Sequence, residues 1–561
     1  MVFVKWGEGK FYFRASQTVS LFLLDIRRHA DYTGHTRGRR SRQCFASLIA
    51  PSIPKNRPLS TSRPKKQPLN SDPMCRILLT CCLSLLLAVS VFGTEKRPNF
   101  VVFLVDDLGA MDVGAYNPTT FYETPNIDRL AASGVRFTAG YAACAVCSPT
   151  RFSLMTGKYP VRNGCTDWFG ARRAERFRPA PLHERLDHDE TTLAEALREA
   201  GYKTTFVGKW HLGPTQEFWP ENHGFDVNIG GCNLGHPPSF FAPYKIPVLE
   251  DGPQGEFLTE RLTDEAIRQI KEMKGSPFLL YFSFYQVHTP LQAREALIQK
   301  YREKSKRLGL PTERSELFKE EEQNYLTDNP RLVRRVQTHP VYAAMVESLD
   351  VAVGRVVDAL QAEGLWDETV VCFLSDNGGA ACSTEGGPTS NAPLRTGKGW
   401  QYEGGIRVPY IIRTPGGRGG RTSGIPVTTT DIYPTLLDLA GLPLKPEQHL
   451  DGVSLKPVLE GMALPKRDLY WHYPHYGNQG GFPGGAVRDG EWKLIRRYED
   501  GRVHLYNLTN DPSEQTDLAA VKPDQTKALA DKHDRWLRSV GAKFLQEKDG
   551  NVPWRPDYLQ Q

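Results

Sequence analysis

The chain reads as an α/β protein: a large, mostly parallel mixed β-sheet flanked by helices, followed by a smaller C-terminal subdomain of antiparallel sheet and one helix. Two patterns carry that reading. Four short runs, too uniformly apolar for half-exposed strands, alternate with amphipathic helical stretches, which makes a sheet parallel and covers both its faces. Each run also stops on a polar cluster at its carboxyl end, where ligands bind in sheets of this kind.

The first run, "NFVVFLVDDLG" (99–109), ends on Asp106 and Asp107. "KTTFVGKWHLG" (203–213) ends on Lys209 and His211, and "PFLLYFSFYQVHTP" (277–290) is followed by His288. "TVVCFLSDNGG" (369–379) closes on Asp376 and Asn377. Between them, "TPNIDRLAASG", "TTLAEALREAG", "LTDEAIRQIKEM" and "AAMVESLDVAVGRVVDALQAEG" repeat apolar residues at three and four. Three of these four finish at a glycine, as helices do. Beyond "DGVSLKPVLEG", the segments "DLYWHYPHYG", "GAVRDGEWKLIRRYEDG" and "VHLYNLTNDP" alternate apolar residues with turn signals, and "TKALADKHDRWLRSVG" reads as a closing helix. The aromatic and histidine stretch from Trp471 to Tyr476 either lines a sugar pocket or packs the subdomain on the main sheet.

Length and charge narrow the function. The 561 residues suffice for one large domain with an appendage, and the hydrophobic fraction of 40 % is that of a soluble globular protein. The net charge of +6 is set by the N-terminus: residues 1–73 hold 14 Lys+Arg against four acids, and Arg76 adds one more. From Thr94 onward the charge is 6 − 11 = −5, so a basic partner-binding role, as for nucleic acid, has no support in the main body. Residues 74–93 have a basic start and an apolar run, Ile77 to Phe92, shorter than the about 20 residues of a membrane span. That is the layout of a signal peptide, implying export to the periplasm or medium without stable membrane insertion. Residues 1–73, rich in Arg, Ser and Pro, read as a disordered or mis-extended basic start before Met74. The expected organisation is therefore 94–462 for the catalytic domain and 463–561 for the C-terminal subdomain. Six of the ten cysteines follow residue 93. Apart from Cys144 and Cys147 they lack metal-site spacing, and export permits disulfides whose pairing the sequence leaves open.

The chemistry gathers at the strand ends. Asp106, Asp107, Asp376 and Asn377 offer only oxygen donors, and three carboxylates brought together repel unless a cation neutralises them. Oxygen-only ligation suits calcium or magnesium and not zinc. Arg151, Lys209 and Lys398, the last in the glycine-rich "RTGKGWQYEGG" (395–405), bring positive charge to the same place. A metal and three cations favour a tetrahedral oxyanion, sulfate or phosphate. In "CSPTRFSLMTG" (147–157), Pro149 fits the first helical position, so Cys147 lies at a helix N-terminus and shares a face with Arg151. His183, His188, His223 and His236 lack comparable context and stay unassigned.

Together these residues resemble a family. "CSPTRFSLMTG" meets the signature C-x-P-x-R followed by a small residue, Leu and T-G, and "GKWHLG" and "SDNGG" are two further blocks in the expected order. The chain, from about Pro98 to "HLYNLTNDPSEQTDLA", resembles the type I, formylglycine-dependent sulfatases, arylsulfatase A-like, of the alkaline phosphatase superfamily. The resemblance implies an alkaline phosphatase-like fold and one bound calcium ion. It also implies that a formylglycine-generating enzyme oxidises Cys147 to 3-oxoalanine, whose hydrated aldehyde attacks sulfur. By the same resemblance Asp106, Asp107, Asp376, Asn377 and the modified Cys147 hold the metal, and Arg151 holds the hydrate. Lys209 and Lys398 bind sulfate oxygens, His288 (with Lys398) protonates the leaving oxygen, and His211 is the later base. The implied substrate is a sulfated small molecule, most plainly a sulfated carbohydrate. Three other readings compete: a phosphoric or phosphonic ester hydrolase of the same superfamily, a catalytically silent sulfated-glycan-binding protein, and a thiol enzyme using Cys147 directly.

Overall fold

Eight strands build the main sheet: β1 (Asn99–Val105), β2 (Val135–Phe137), β3 (Lys203–Gly208), β4 (Val227–Ile229), β5 (Phe278–Ser283), β6 (Thr369–Ser375), β7 (Tyr410–Arg413) and β8 (Arg421–Ser423). Their order is β8-β2-β7-β6-β1-β5-β3-β4. Every neighbouring pair is parallel except the two made by β7, which runs against both β6 and β2. The computed structural model describes residues 97–171, 173–311, 317–320 and 330–560. The basic stretch 1–73 and the signal-peptide assignment at 74–93 lie outside them. Contacts divide the chain between Phe92 and Gly93, and the sheets and the polar cluster both belong to the unit Gly93–Gln561.

The apolar runs sit where their composition requires. β1 pairs in parallel on both sides, with β5 and β6, and its residues Phe100 to Val105 are fully buried. Such a strand meets helices on both faces, so alternation would leave polar groups buried without partners. Phe103 lies within ring-contact range of Phe282 and Phe284, with centroids 6.2 and 6.1 Å away. Phe103→Ala is expected to cost about 3–5 kcal/mol of stability through the cavity it leaves, read as a lowered thermal midpoint.

Among the described residues, seven longer helices flank this sheet: α1 (Pro125–Ser133), α2 (Cys147–Thr156), α3 (Leu193–Glu199), α4 (Leu258–Met273), α5 (Glu295–Arg307), α6 (Pro340–Ala362) and α7 (Ile432–Leu439). The four helices read from periodicity are present, and α5 and α7 are additions. α6 starts three residues before its apolar pattern, because His339 caps it by accepting from the Tyr342 N–H and Pro340 occupies the first turn. The "CSPTR" helix also starts earlier than expected. It begins at Cys147, with Pro149 third, a place Pro tolerates because the first four helical N–H groups have no intrahelical partner.

The C-terminal segment folds as expected, into an antiparallel sheet of β9 (Asp468–Tyr473), β10 (Gly484–Asp489), β11 (Trp492–Arg497) and β12 (Val503–Asn507), closed by α8 (Pro523–Ser539). Leu529 of α8 packs on Val487, Leu494 and Leu505, and Trp536 stacks on Tyr470 at 4.7 Å. The other face shares a core with the main body through Tyr141, Trp400, Tyr402, Trp471 and Tyr506. The aromatic stretch 471–476 is therefore packing and not a sugar pocket: Trp471, Tyr473, His475 and Tyr476 are at most 3 % exposed. Their polar atoms turn inward, Trp471 Nε1 to Ala142 O at 2.8 Å and Tyr473 Oη to Asp167 at 3.0 Å. Among the described residues no helix is long and apolar enough to cross a membrane, and the six cysteines are unpaired and buried.

Candidate active site

Strand register assembles the site. Leu104 stands beside Ser283 on one side and Leu374 on the other, and Ser283 stands beside Gly208. One or two residues further along three of these four consecutive strands come Asp106, Lys209 and Asp376. Gly208 is needed at this turn: its φ is +99°, and a Cβ there would fall 1.9 Å from Ser283 O. Asp107 and His211 also take left-handed backbone, at φ 63° and 57°, which non-glycine residues adopt at a cost of about 1–3 kcal/mol, as at many functional sites.

Each carboxylate faces its own cation. Lys209 Nζ is 2.6 Å from Asp106 Oδ2, and Lys398 Nζ is 2.6 Å from Asp107 Oδ1. Arg151 donates from Nε and Nη2 to Asp376 Oδ2 at 2.9 and 2.7 Å, and from Nη1 to Lys209 O and Ser283 Oγ. Asn377 Nδ2 donates to Asp107 Oδ1 at 2.8 Å, and the Asp107 N–H donates to Asp376 Oδ1 at 3.2 Å. All eight residues are at most 5 % exposed. The strand-end and loop positions proposed from sequence thus fall in one buried cluster, apart from the half-buried His288, whose Nε2 is 3.7 Å from Asp107 Oδ2.

The cluster fits a hard cation on two observations. Asp106 Oδ1 and Asn377 Oδ1 are buried oxygens without a hydrogen-bond donor, a costly state unless an ion meets them. Burial, reinforced by the neighbouring Asp376 and Asp107 charges, pushes the Asp106 carboxyl up against the pull of Lys209. Added positive charge would keep it ionised. Asp107, though burial alone would raise it, is held well below the carboxylate range by the Lys398 charge and the Asn377 amide. Asp106, Asp107 and His288 also bring one ligand atom each within 4.8 Å of one another, so the histidine offers a nitrogen beside the oxygen donors.

Cys147, first residue of α2, has the base that local sequence does not show. His211 Nδ1 lies 3.5 Å from its Sγ and 3.2 Å from Ser148 Oγ, while Nε2 lies 3.2 Å from Phe169 O. The carbonyl accepts only from an N–H, so the Nε2 tautomer leaves Nδ1 as an acceptor facing residue 147. Burial, then Lys209 and Arg151, lower the His211 pKa well below normal. Burial likewise raises the Cys147 thiol, against Lys209 and Lys398. A neutral thiol beside a neutral imidazole is the opposite of a thiolate–imidazolium pair, which disfavours direct thiol catalysis. His288 is held neutral too, by burial and Lys398 against the pull of Asp107, and its Nδ1 contacts Thr289 O at 3.2 Å.

Four contributors went unread in the sequence. Ser283 ends β5 and binds Arg151, and Ser375 ends β6, accepting from the Leu108 N–H at 3.0 Å. Both are strand-terminal polar residues, the same signal that singled out their neighbours. Phe169 orients His211 through its carbonyl, which no side-chain pattern announces. His236 stacks on His288 at 5.8 Å with planes 6° apart, bringing one of the unassigned histidines to the rim.

A mostly parallel sheet gathers oxygen donors, cations and a helix N-terminus at its carboxyl edge, and comparison with known proteins assigns this arrangement to the hydrolases of the alkaline phosphatase superfamily. The sulfatase family profile matches residues 98–442, and the profile described as N-sulphoglucosamine sulphohydrolase, C-terminal, matches 396–540. A sulfatase of Formosa agariphila is 32 % identical over 547 residues, spanning 82 % of this chain and 92 % of its own. Human N-acetylgalactosamine-6-sulfatase is 32 % identical over 404 residues, spanning 68 % and 69 %. Among solved structures, Ps i-CgsB superposes with a TM-score of 0.64 at 27 % identity, covering 79 % of this chain and 93 % of that one. The phosphonate monoester hydrolase of Agrobacterium radiobacter, TM-score 0.55 and 22 % identical over 82 % and 100 %, shares the fold. The chain belongs to the type I sulfatase family, and its activity is that of a sulfuric ester hydrolase.

Proposed function

We propose that this chain hydrolyses sulfate esters of carbohydrates at the Asp106–Cys147–Lys398 cluster, using a formylglycine made from Cys147 and one calcium ion. The carrying observation is the buried Cys147 at a helix N-terminus, with an acceptor nitrogen of His211 3.5 Å away and three carboxylates balanced by three cations. Once in place, the modified residue supplies the nucleophilic oxygen and calcium, held by Asp106, Asp107, Asp376, Asn377 and residue 147, supplies the charge that makes that oxygen acidic. The chain's own groups do the rest. Lys209 and Lys398 draw in the sulfate oxygens, and Arg151 steadies Asp376 while facing residue 147 from the next helical turn. His211 Nδ1 takes a proton from residue 147. His288, at the partly open edge and beside Lys398, takes up a proton when the anionic substrate adds negative charge beside it, and delivers that proton to the departing alcohol oxygen. Ps i-CgsB has been solved with k-i-k-neocarrahexaose and BT4656 with D-glucosamine-2-N,6-O-disulfate; those ligands support a sugar sulfate here. Export, with maturation by a formylglycine-generating enzyme, completes the proposal.

The test is turnover on sulfated monosaccharides against matched phosphate and phosphonate esters. Sulfate-ester hydrolysis dominating is the expected result; preferential phosphonate hydrolysis would refute the assignment. The metal has its own readout. Chelation should lower the thermal midpoint and added Ca²⁺ should restore it, because an ion bound only by the native state stabilises it by mass action. A melting curve unchanged by verified metal removal would contradict the proposed ligand set.

A further inference from the structure

A second buried ion network lies behind the site. Lys493, in β11, is fully buried, and its ammonium is 2.9 Å from Glu403 Oε1 and 2.8 Å from Glu514 Oε1. The other Glu403 oxygen accepts from the Tyr141 hydroxyl at 2.8 Å and pairs with Arg407 Nε at 2.7 Å. Glu514 Oε2 accepts from the backbone N–H of Glu403 at 2.6 Å. Two side chains of the C-terminal segment thus hold both the carboxylate and the main chain of one residue. Buried ion pairs are a poor source of stability, since desolvation offsets the attraction, and geometric specification is a better-founded use.

The position of Glu403 shows what is specified. It opens the short helix Glu403–Ile406 that ends the glycine-rich segment carrying Lys398. Gly404 N donates to Arg395 O at 3.0 Å, and Gly405 O accepts from the N–H of Gly378, the residue after Asn377, at 2.9 Å. The two segments are so close that a Cβ on Gly378 would fall 1.9 Å from Gly404 O. The start of the Lys398 segment is tied to the same C-terminal elements: Arg395 Nη1 donates to Glu514 O at 3.0 Å and to Tyr506 Oη at 3.2 Å. Between the two ties, the Lys398 N–H donates to Gly379 O at 3.1 Å and its ammonium reaches Asp107.

We propose that Lys493 and Glu514 are positioning residues for the reaction, fixing the segment that presents Lys398 and, through Gly405, the one that presents Asn377, so that the C-terminal sheet completes the active site. The inference rests on the reading that Lys398 binds sulfate. Its test is a double-mutant cycle, with kcat/KM on a sulfate ester and inhibition by inorganic sulfate measured for each protein. Lys493→Met and Glu514→Gln should each lower kcat/KM by about 10–100-fold and weaken sulfate inhibition, as misplacement by an ångström can do, while unfolding stays cooperative. Lys398→Ala should be impaired alone, and adding Lys493→Met to it should cost much less than Lys493→Met costs in the wild type, because the larger part of the clamp's effect runs through the lysine already removed and only the Asn377 part remains. If Lys493→Met does not fold, Glu514→Gln, which keeps the side-chain shape, enters the same cycle. Fully additive losses in the Lys398→Ala background, or unchanged kcat/KM in a folded clamp variant, would overturn the inference while leaving the Lys398 assignment standing. Wild-type activity in Lys398→Ala would instead remove that assignment, and the inference with it.

Discussion

Replacing Cys147 with alanine should abolish sulfate-ester turnover and leave the fold intact. The residue is enclosed in the first turn of α2, and its side chain meets His211 at 3.5 Å. Trimming a single buried sulfur costs about 1 kcal/mol, within what a domain of this size absorbs. Losing a nucleophile that works as a unit with its base costs on the order of 10⁶-fold in kcat. Cys147→Ser should be equally inactive over many turnovers, since a serine ester lacks the second hydroxyl needed to expel sulfate by C–O cleavage. The thermal midpoint and the residual rate, measured on one preparation, check both halves of the expectation. Measurable steady-state turnover by a folded Cys147→Ala protein would place the nucleophile elsewhere.

The second large effect separates the two histidines. His211 presents Nδ1 to residue 147 from a buried position, whereas His288 sits half-buried at the rim, stacked on His236. If His288 serves the leaving oxygen, His288→Ala should lose about 10²–10⁴-fold on a sugar sulfate, whose alkoxide leaves poorly. On an activated aryl sulfate, whose phenolate needs little help, it should lose much less. His211→Ala should lose by that same order on both substrates, because its proton comes from residue 147 whatever group departs. Equal losses for both variants on both substrates would show that the roles are wrongly assigned.

Much of this arrangement was legible because it depends on local pattern. The uniform burial of β1, β5 and β6 shows in their lack of alternation, and parallel order follows from the helices between them. The polar residues converge because parallel strands end at one edge, so Asp106, Lys209, His288 and Asp376 needed no long-range information beyond strand direction. What was hidden depends on separation in sequence. His211 is 64 residues from Cys147, and nothing near either shows that their side chains meet. Glu403, Lys493 and Glu514 look like ordinary surface charges until three separate segments bury them together. The stretch from Trp471 to Tyr476 carries the composition of both a sugar platform and a packing face, and only burial distinguishes the two. In "CSPTR" the proline suggested a helix start at 149, but the first turn accepts proline at several positions, so the start lies at Cys147.

The modification of residue 147 is the central claim, and the mass of the tryptic peptide that contains it tests that claim most directly. In active enzyme from a host with formylglycine-generating activity, that peptide should be about 18 Da lighter than its cysteine form, and the converted fraction should track specific activity across preparations. Fully active enzyme carrying only intact cysteine at 147 would contradict the account.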